Sequence, residues 1–161
     1  MIARKELIEA YLAGARLPGE AVCKLTPDQL GARPVAGMWS ILEVVCHLAD
    51  SEVLFAERMK RVLVEERPTL PFVDPARCVA ALAYAERDAH EEIAVIESVR
   101  RQMGRILRSQ PASAWERVGL HSKEGEQTLE QLVRKAVAHL EHHLGFVRAK
   151  RQTLEAGKQA R

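Results

Sequence analysis

Three of the chain's six histidines fall within five positions, in the stretch AHLEHHLGFVRAKR from Ala138 to Arg151. A neutral imidazole is a common ligand of divalent metals, so such a cluster either packs and solvates a helix surface or holds an ion. Successive helix residues turn by about 100°. On that wheel Leu129, Leu132, Val133, Ala136, Leu140 and Val147 form one apolar stripe. His143 falls about 20° from its centre and His139 about 60° away, while His142 lies about 120° off, toward solvent. His139 and His143 therefore make an inward-facing i, i+4 pair, a spacing that lets two imidazoles reach one ion. HLEHH has no Glu directly after its first histidine, which excludes the HExxH arrangement of zinc proteases.

A third ligand has to come from another helix. His47, in VVCHLADSE, flanks a stripe of Ile41, Val44, Val45, Leu48, Phe55 and Met59. It sits about 100° from that stripe's centre and would meet a neighbouring helix obliquely. Two charged residues occupy apolar stripes: Glu52 on the same helix, and Arg100 among Leu82, Ala89, Ile93, Ile96 and Met103. Buried charges are costly unless paired, which leaves two readings. Glu52 acts near the metal, orienting a ligand imidazole or serving as a catalytic base, or it forms a structural ion pair with Arg100.

The remaining candidates read as structural. Cys46 adjoins His47 but points elsewhere on the helix, as a small buried residue. His90 reads as a solvated helix residue and His121, in GLHSKEG, as a surface-loop residue. Trp39 and Trp115 read as packing anchors. Arg148, Lys150 and Arg151 complement the dipole at the end of the last helix.

Four helical segments must position these groups. The first covers about residues 2–15 and stops at LPGE, before a connector rich in proline and glycine. The second opens at WSILE, where Ser40 and Glu43 form a capping box, and runs to about Glu65. The third covers about 77–109, with an irregular start after DP. The fourth opens at Thr128, boxed with Gln131, and continues to about Glu155. With no strand candidate, the expectation is an all-α four-helix bundle in one domain, residues 1–161. The long connection between helices 1 and 2 allows an order other than up-down-up-down.

Composition narrows the function classes. Apolar residues make up 47% and charged ones 29%, a globular balance. The net charge is +2, the charges are interspersed and aromatics are only 4%, so nucleic-acid binding is not expected. No stretch approaches the roughly 20 apolar residues of a membrane span. The beginning, MIARKELIEAYLAG, lacks a continuous apolar run, so no signal peptide is expected. The three cysteines form no CxxC. A soluble cytoplasmic protein with reduced thiols is the simplest reading.

The segment GMWSILEVVCHLADSEVLFAERMKRVL resembles the N-terminal signature of the DinB/YfiT-like superfamily. Its marks are a Trp-Ser helix start, a histidine one to two turns later, and HLADSE. The segment GEQTLEQLVRKAVAHLEHHLGFVRAKR is similar to the family's closing motif, a Thr-Leu helix start leading to H-x-x-x-H. The intervening ERPTLPF and WERVGLHSKEGE also read as the family does. The resemblance implies a four-helix bundle with a divalent metal held by His47, His139 and His143. Zinc suits all-imidazole ligation best; nickel, iron, manganese and copper also accept it. The resemblance further implies a metal-dependent transferase acting on a small electrophile, with a low-molecular-weight thiol as cosubstrate, and a homodimer. The alternatives are a metal-dependent hydrolase, or a non-enzymatic, stress-related dimeric bundle whose metal is structural or vestigial.

Overall fold

Helix starts follow the capping chemistry written in the chain. The computed structural model describes residues 4–33 and 37–159. At Ser40 the side chain accepts from the Glu43 amide at 3.1 Å, and Glu43 accepts from the Ser40 amide at 2.7 Å. This box opens α4, Ile41–Val64. Thr128 and Gln131 exchange the same pair of bonds, at 2.8 and 3.1 Å, at the head of α7, Leu129–Gln159. Asp88 accepts from the His90 and Glu91 amides to start α6, Ala89–Arg108. The shorter helices are α1 (Arg4–Ala13), α2 (Leu17–Val22), α3 (Pro27–Gly31) and α5 (Pro75–Ala81).

Three sequence expectations need correction. LPGE does not simply stop a helix: Pro18 falls in the first turn of α2, where its missing N–H is harmless. The third predicted helix is divided, because Ala83 adopts a left-handed φ of 49° and a 3-10 turn, Tyr84–Glu86, precedes α6. The chain also contains strands. Residues Thr69–Leu70 (β1), Val118–His121 (β2) and Gly125–Thr128 (β3) form a small sheet, with β1 parallel and β3 antiparallel to β2. Strands this short carry too few residues to register an alternating pattern. Gly119 lets the sheet lie close to α4, since a Cβ there would stand 2.9 Å from a Val62 methyl.

The four bundle helices are α1, α4, α6 and α7. Both α1 and α4 pack on α6 and α7, so α1 stands diagonally across from α4. The core has two halves. One gathers Leu7, Met59, Val62, Leu107, Leu129 and Leu132; the other gathers Val22, Ile41, Val45, Ile93, Leu140 and Val147. Helices α4 and α6 pass from the second half to the first and α7 from the first to the second, while α1 lies in the first half and leads through α2 to Val22 in the second. Thus α4 and α6 run one way, α1 and α7 the opposite way. The parallel α4–α6 step needs the long crossover through β1 and α5, as parallel neighbours do. The altered order thus involves this crossover as well as the long first connection.

Between the core halves lies a charged layer. Arg100 is 0% exposed and donates from Nε to Glu52 Oε2 at 2.8 Å. Its other nitrogens donate to the Tyr11 carbonyl at 2.9 Å and the Ala136 carbonyl at 3.1 Å. The Tyr11 hydroxyl donates to the second Glu52 oxygen. One guanidinium on α6 therefore binds α1, α4 and α7 at once. Gly14 makes room for it, since a Cβ there would fall 2.1 Å from Arg100 Nη1. The Glu52→Gln substitution leaves a buried guanidinium facing a neutral partner, and is expected to destabilise the chain by about 3 kcal/mol in urea titrations. An unchanged unfolding midpoint contradicts the clamp.

Candidate metal centre

His47, His139 and His143 converge between α4 and α7. His47 Nε2 and His139 Nε2 are 3.1 Å apart. One nitrogen from each of the three rings lies within 4.8 Å of the others. Two imidazole nitrogens on one tetrahedral zinc, each about 2.05 Å from it, stand about 3.3 Å apart, close to the observed contact. His143 Nδ1 is buried and has no hydrogen-bond partner among the described residues. A buried nitrogen left this way is costly, and a metal ion is one way of satisfying it. The donor set therefore fits a divalent ion. His142 is exposed, as its wheel position predicted.

The oblique position of His47 proves sufficient. Although it lies at the flank of its stripe, it is 6% exposed because α7 covers that flank. Aromatic rings wall the cluster: Trp39 lies 5.2 Å from His47, Phe55 5.6 Å from His139 and Phe146 5.7 Å from His143, between ring centroids. A pocket of about 240 Å³ opens on His143, lined also by Met38, Trp39, Val44, Phe146 and Lys150.

Burial sets the protonation state. It pushes His139 down to about 3, helped by the neighbouring imidazoles and by Arg100. It pushes His143 down to about 4, with His47 and His142 adding to the effect. His47 is also lowered by burial, against the opposing pull of Asp50. All three imidazoles are thus neutral near pH 7, the form that ligates metals.

Other residues singled out in the sequence have settled places. Glu52 is 3% exposed, and Arg100 and Tyr11 engage its two oxygens; the ion-pair reading describes what is there. The Cys46 thiol is buried, points to the Tyr84 carbonyl at 3.6 Å and is pushed up to about 12 by desolvation. Trp115 is a buried anchor and His90 is exposed. His121 is not a surface-loop residue but a buried member of β2, its Nδ1 accepting from the Lys123 and Glu124 amides. Arg148, Lys150 and Arg151 do not lie in the last turn, where they would complement the dipole, because α7 continues to Gln159.

Sequence reasoning passed over Asp50. It accepts from the Tyr84 hydroxyl at 2.7 Å and from Arg87 at 3.1 Å, fastening the 3-10 turn against α4 one turn from His47. The only signal was its place within HLADSE.

With this geometry in view, comparison with known proteins is decisive for the family. The model of the DinB superfamily matches residues 19–147. The chain belongs to the DinB superfamily. A relative from Oceanobacillus iheyensis, named "Putative metal-dependent hydrolase", is 26% identical over 130 residues, covering 81% of this chain and 75% of the relative. A relative of the same name from Bacillus licheniformis is 25% identical over 135 residues, covering 83% and 77%. Among solved structures, YfiT from Bacillus subtilis superposes with a TM-score of 0.89 at 23% identity, over 96% of this chain and 91% of YfiT. It is described as "a probable metal-dependent hydrolase with an unusual four-helix bundle topology". A mycothiol-dependent maleylpyruvate isomerase superposes with a TM-score of 0.71 at 12% identity, over 89% of this chain and 60% of the isomerase. These two likenesses confirm the DinB-type fold.

The lowered imidazole pKa values make metal-free stability depend on pH. In the unfolded chain these groups take up protons near 6.5; in the fold His143 and His139 do so only near 4 and 3. Between those limits the unfolded state binds more protons, so the contribution is complete above about 6.5 and is lost as pH falls toward the folded values. In the presence of chelator, the urea midpoint is expected to drop between about pH 7 and about pH 5, and to drop less in His139→Gln. Identical pH profiles for the two proteins contradict the assignment.

Proposed function

We propose that the chain is a metal-dependent enzyme in which His47, His139 and His143 hold one divalent ion, zinc by preference, beside a pocket for a small substrate. The observation that carries this reading is the pairing of three neutral, converging imidazoles with a cavity opening on one of them. A structural ion is enclosed by four protein ligands, whereas a catalytic one keeps a position open. When bound, the ion supplies Lewis acidity that brings the pKa of a ligand water or thiol toward neutrality.

The chain's own residues do the rest. The imidazoles stay neutral and available at working pH. Trp39 and Phe55 pack on the cluster's flanks, and the half-exposed Phe146 edges the pocket. Cys46 is turned toward the Tyr84 carbonyl, and neither Cys23 nor Cys78 lines the pocket, so we assign the thiol nucleophile to a low-molecular-weight cosubstrate. Transfer of such a thiol to a small electrophile is the leading reaction, in keeping with the thiol dependence named for the isomerase neighbour. Hydrolysis is the second reading, favoured by the names of the sequence relatives.

Glu52 enters as a positioning residue acting through Arg100, because both its oxygens are engaged. Assayed below its melting temperature, Glu52→Gln is expected to keep the wild-type pH–rate profile; loss of a proton acceptor would change it.

Protein purified without chelator or nickel resin is expected to bind one zinc per chain. His139→Ala and His143→Ala are expected to lose at least about 100-fold in affinity. The metal-loaded protein should consume an electrophile–thiol pair, or an activated ester under the second reading, and these variants should not. Zinc binding without either activity overturns the enzymatic reading.

A further inference from the structure

We propose that Lys150 makes the pocket on His143 a site for a small molecule bearing one carboxylate, the ammonium receiving that group while Trp39, Val44 and Phe146 hold an apolar body. This rests on the reading of the histidine cluster as the reacting centre, and identifies the class of molecule brought to it.

Lys150 is 7% exposed, yet lines a pocket whose other walls are largely apolar. Among the described residues no carboxylate or carbonyl engages its ammonium, and the Phe146 ring lies 5.9 Å away. The cations beside it on α7 are partnered. Arg151 donates to the carbonyls of Ala21 and Cys23 and to Glu155, and Arg148 lies 4.0 Å from Glu141. Its stem is buried while its nitrogen keeps contact with solvent, so the ammonium stands at the pocket with no counter-charge from the chain. The pocket therefore contains one unmatched positive charge.

The dimensions and charge restrict the ligand. Lys150 lies two turns beyond His143 on the same face of α7, a rise of about 10 Å, and helix side chains lean toward the N-terminus, which shortens the gap. The cavity of about 240 Å³ admits a small molecule. One ammonium neutralises one carboxylate. A phosphate monoester would bring nearly a second negative charge into apolar walls, at a desolvation cost nothing in the pocket offsets. The ligand is thus a short monocarboxylate held by its anionic end near Lys150, with its other end near the histidines.

The test is calorimetric titration of the protein as purified with hexanoate, hexanamide and hexyl phosphate. Wild type is expected to bind hexanoate at least about 10-fold tighter than either of the others. Lys150→Met should lose that preference with unchanged metal content and a melting temperature close to that of wild type, and Lys150→Arg should retain most of it. Wild type without the preference, or Lys150→Met that keeps it, overturns the proposal. Metal content measured on the same samples separates this from the metal reading. A His139→Ala protein that has lost its ion but still prefers hexanoate supports Lys150, whereas a preference lost there and kept in Lys150→Met assigns the carboxylate to the ion.

Discussion

A guanidinium shut away from water must find acceptors within the protein, and Arg100 finds them on three other helices. Its worth lies less in stability, where buried ion pairs often break even, than in register. Glu52 follows His47 by five residues on α4, and Ala136 precedes His139 by three on α7. Sliding either helix by one residue would move its imidazole about 1.5 Å along the axis and about 100° around it, and would detach the guanidinium. The contacts that satisfy Arg100 are therefore the contacts that bring the histidines together.

The polar groups share one level of the bundle. Apolar layers pack on both sides of the Arg100–Glu52–Tyr11 triad, and the histidines lie beside the second of them, where α4 and α7 run antiparallel. The electrostatics reflect this closeness: the Arg100 charge helps hold His139 unprotonated. A cation fixed for structural reasons thus also keeps a potential ligand in its binding form. The pocket on His143 opens away from the triad, against Trp39 and Phe146, so substrate access does not require the clamp to move.

Much of this was legible in the residues, for definite reasons. The capping boxes at Ser40 and Thr128 depend on side chains three residues apart, and both helix starts were read correctly. The inward pair His139 and His143 followed from helical periodicity alone. His47 was offered only as an oblique third candidate, because a wheel describes one helix and cannot show which neighbour covers its flank; the family resemblance strengthened that choice. The sheet escaped notice because its strands are two to four residues long. Lys150 was misread because the helix end was placed too early, which made a side chain with a buried stem look like a terminal charge. His121 was misread because the loop around it is a hairpin whose strand turns the ring inward.

The central claim, that one ion sits among three imidazoles held in register by the charged layer, is tested most directly by X-ray absorption at the zinc edge of the metal-loaded protein. The account predicts three imidazole nitrogens at about 2.0–2.1 Å, with the multiple scattering of intact rings, and a remaining light ligand from outside the chain. A shell dominated by sulfur, or by solvent oxygens with one ring or none, would contradict it.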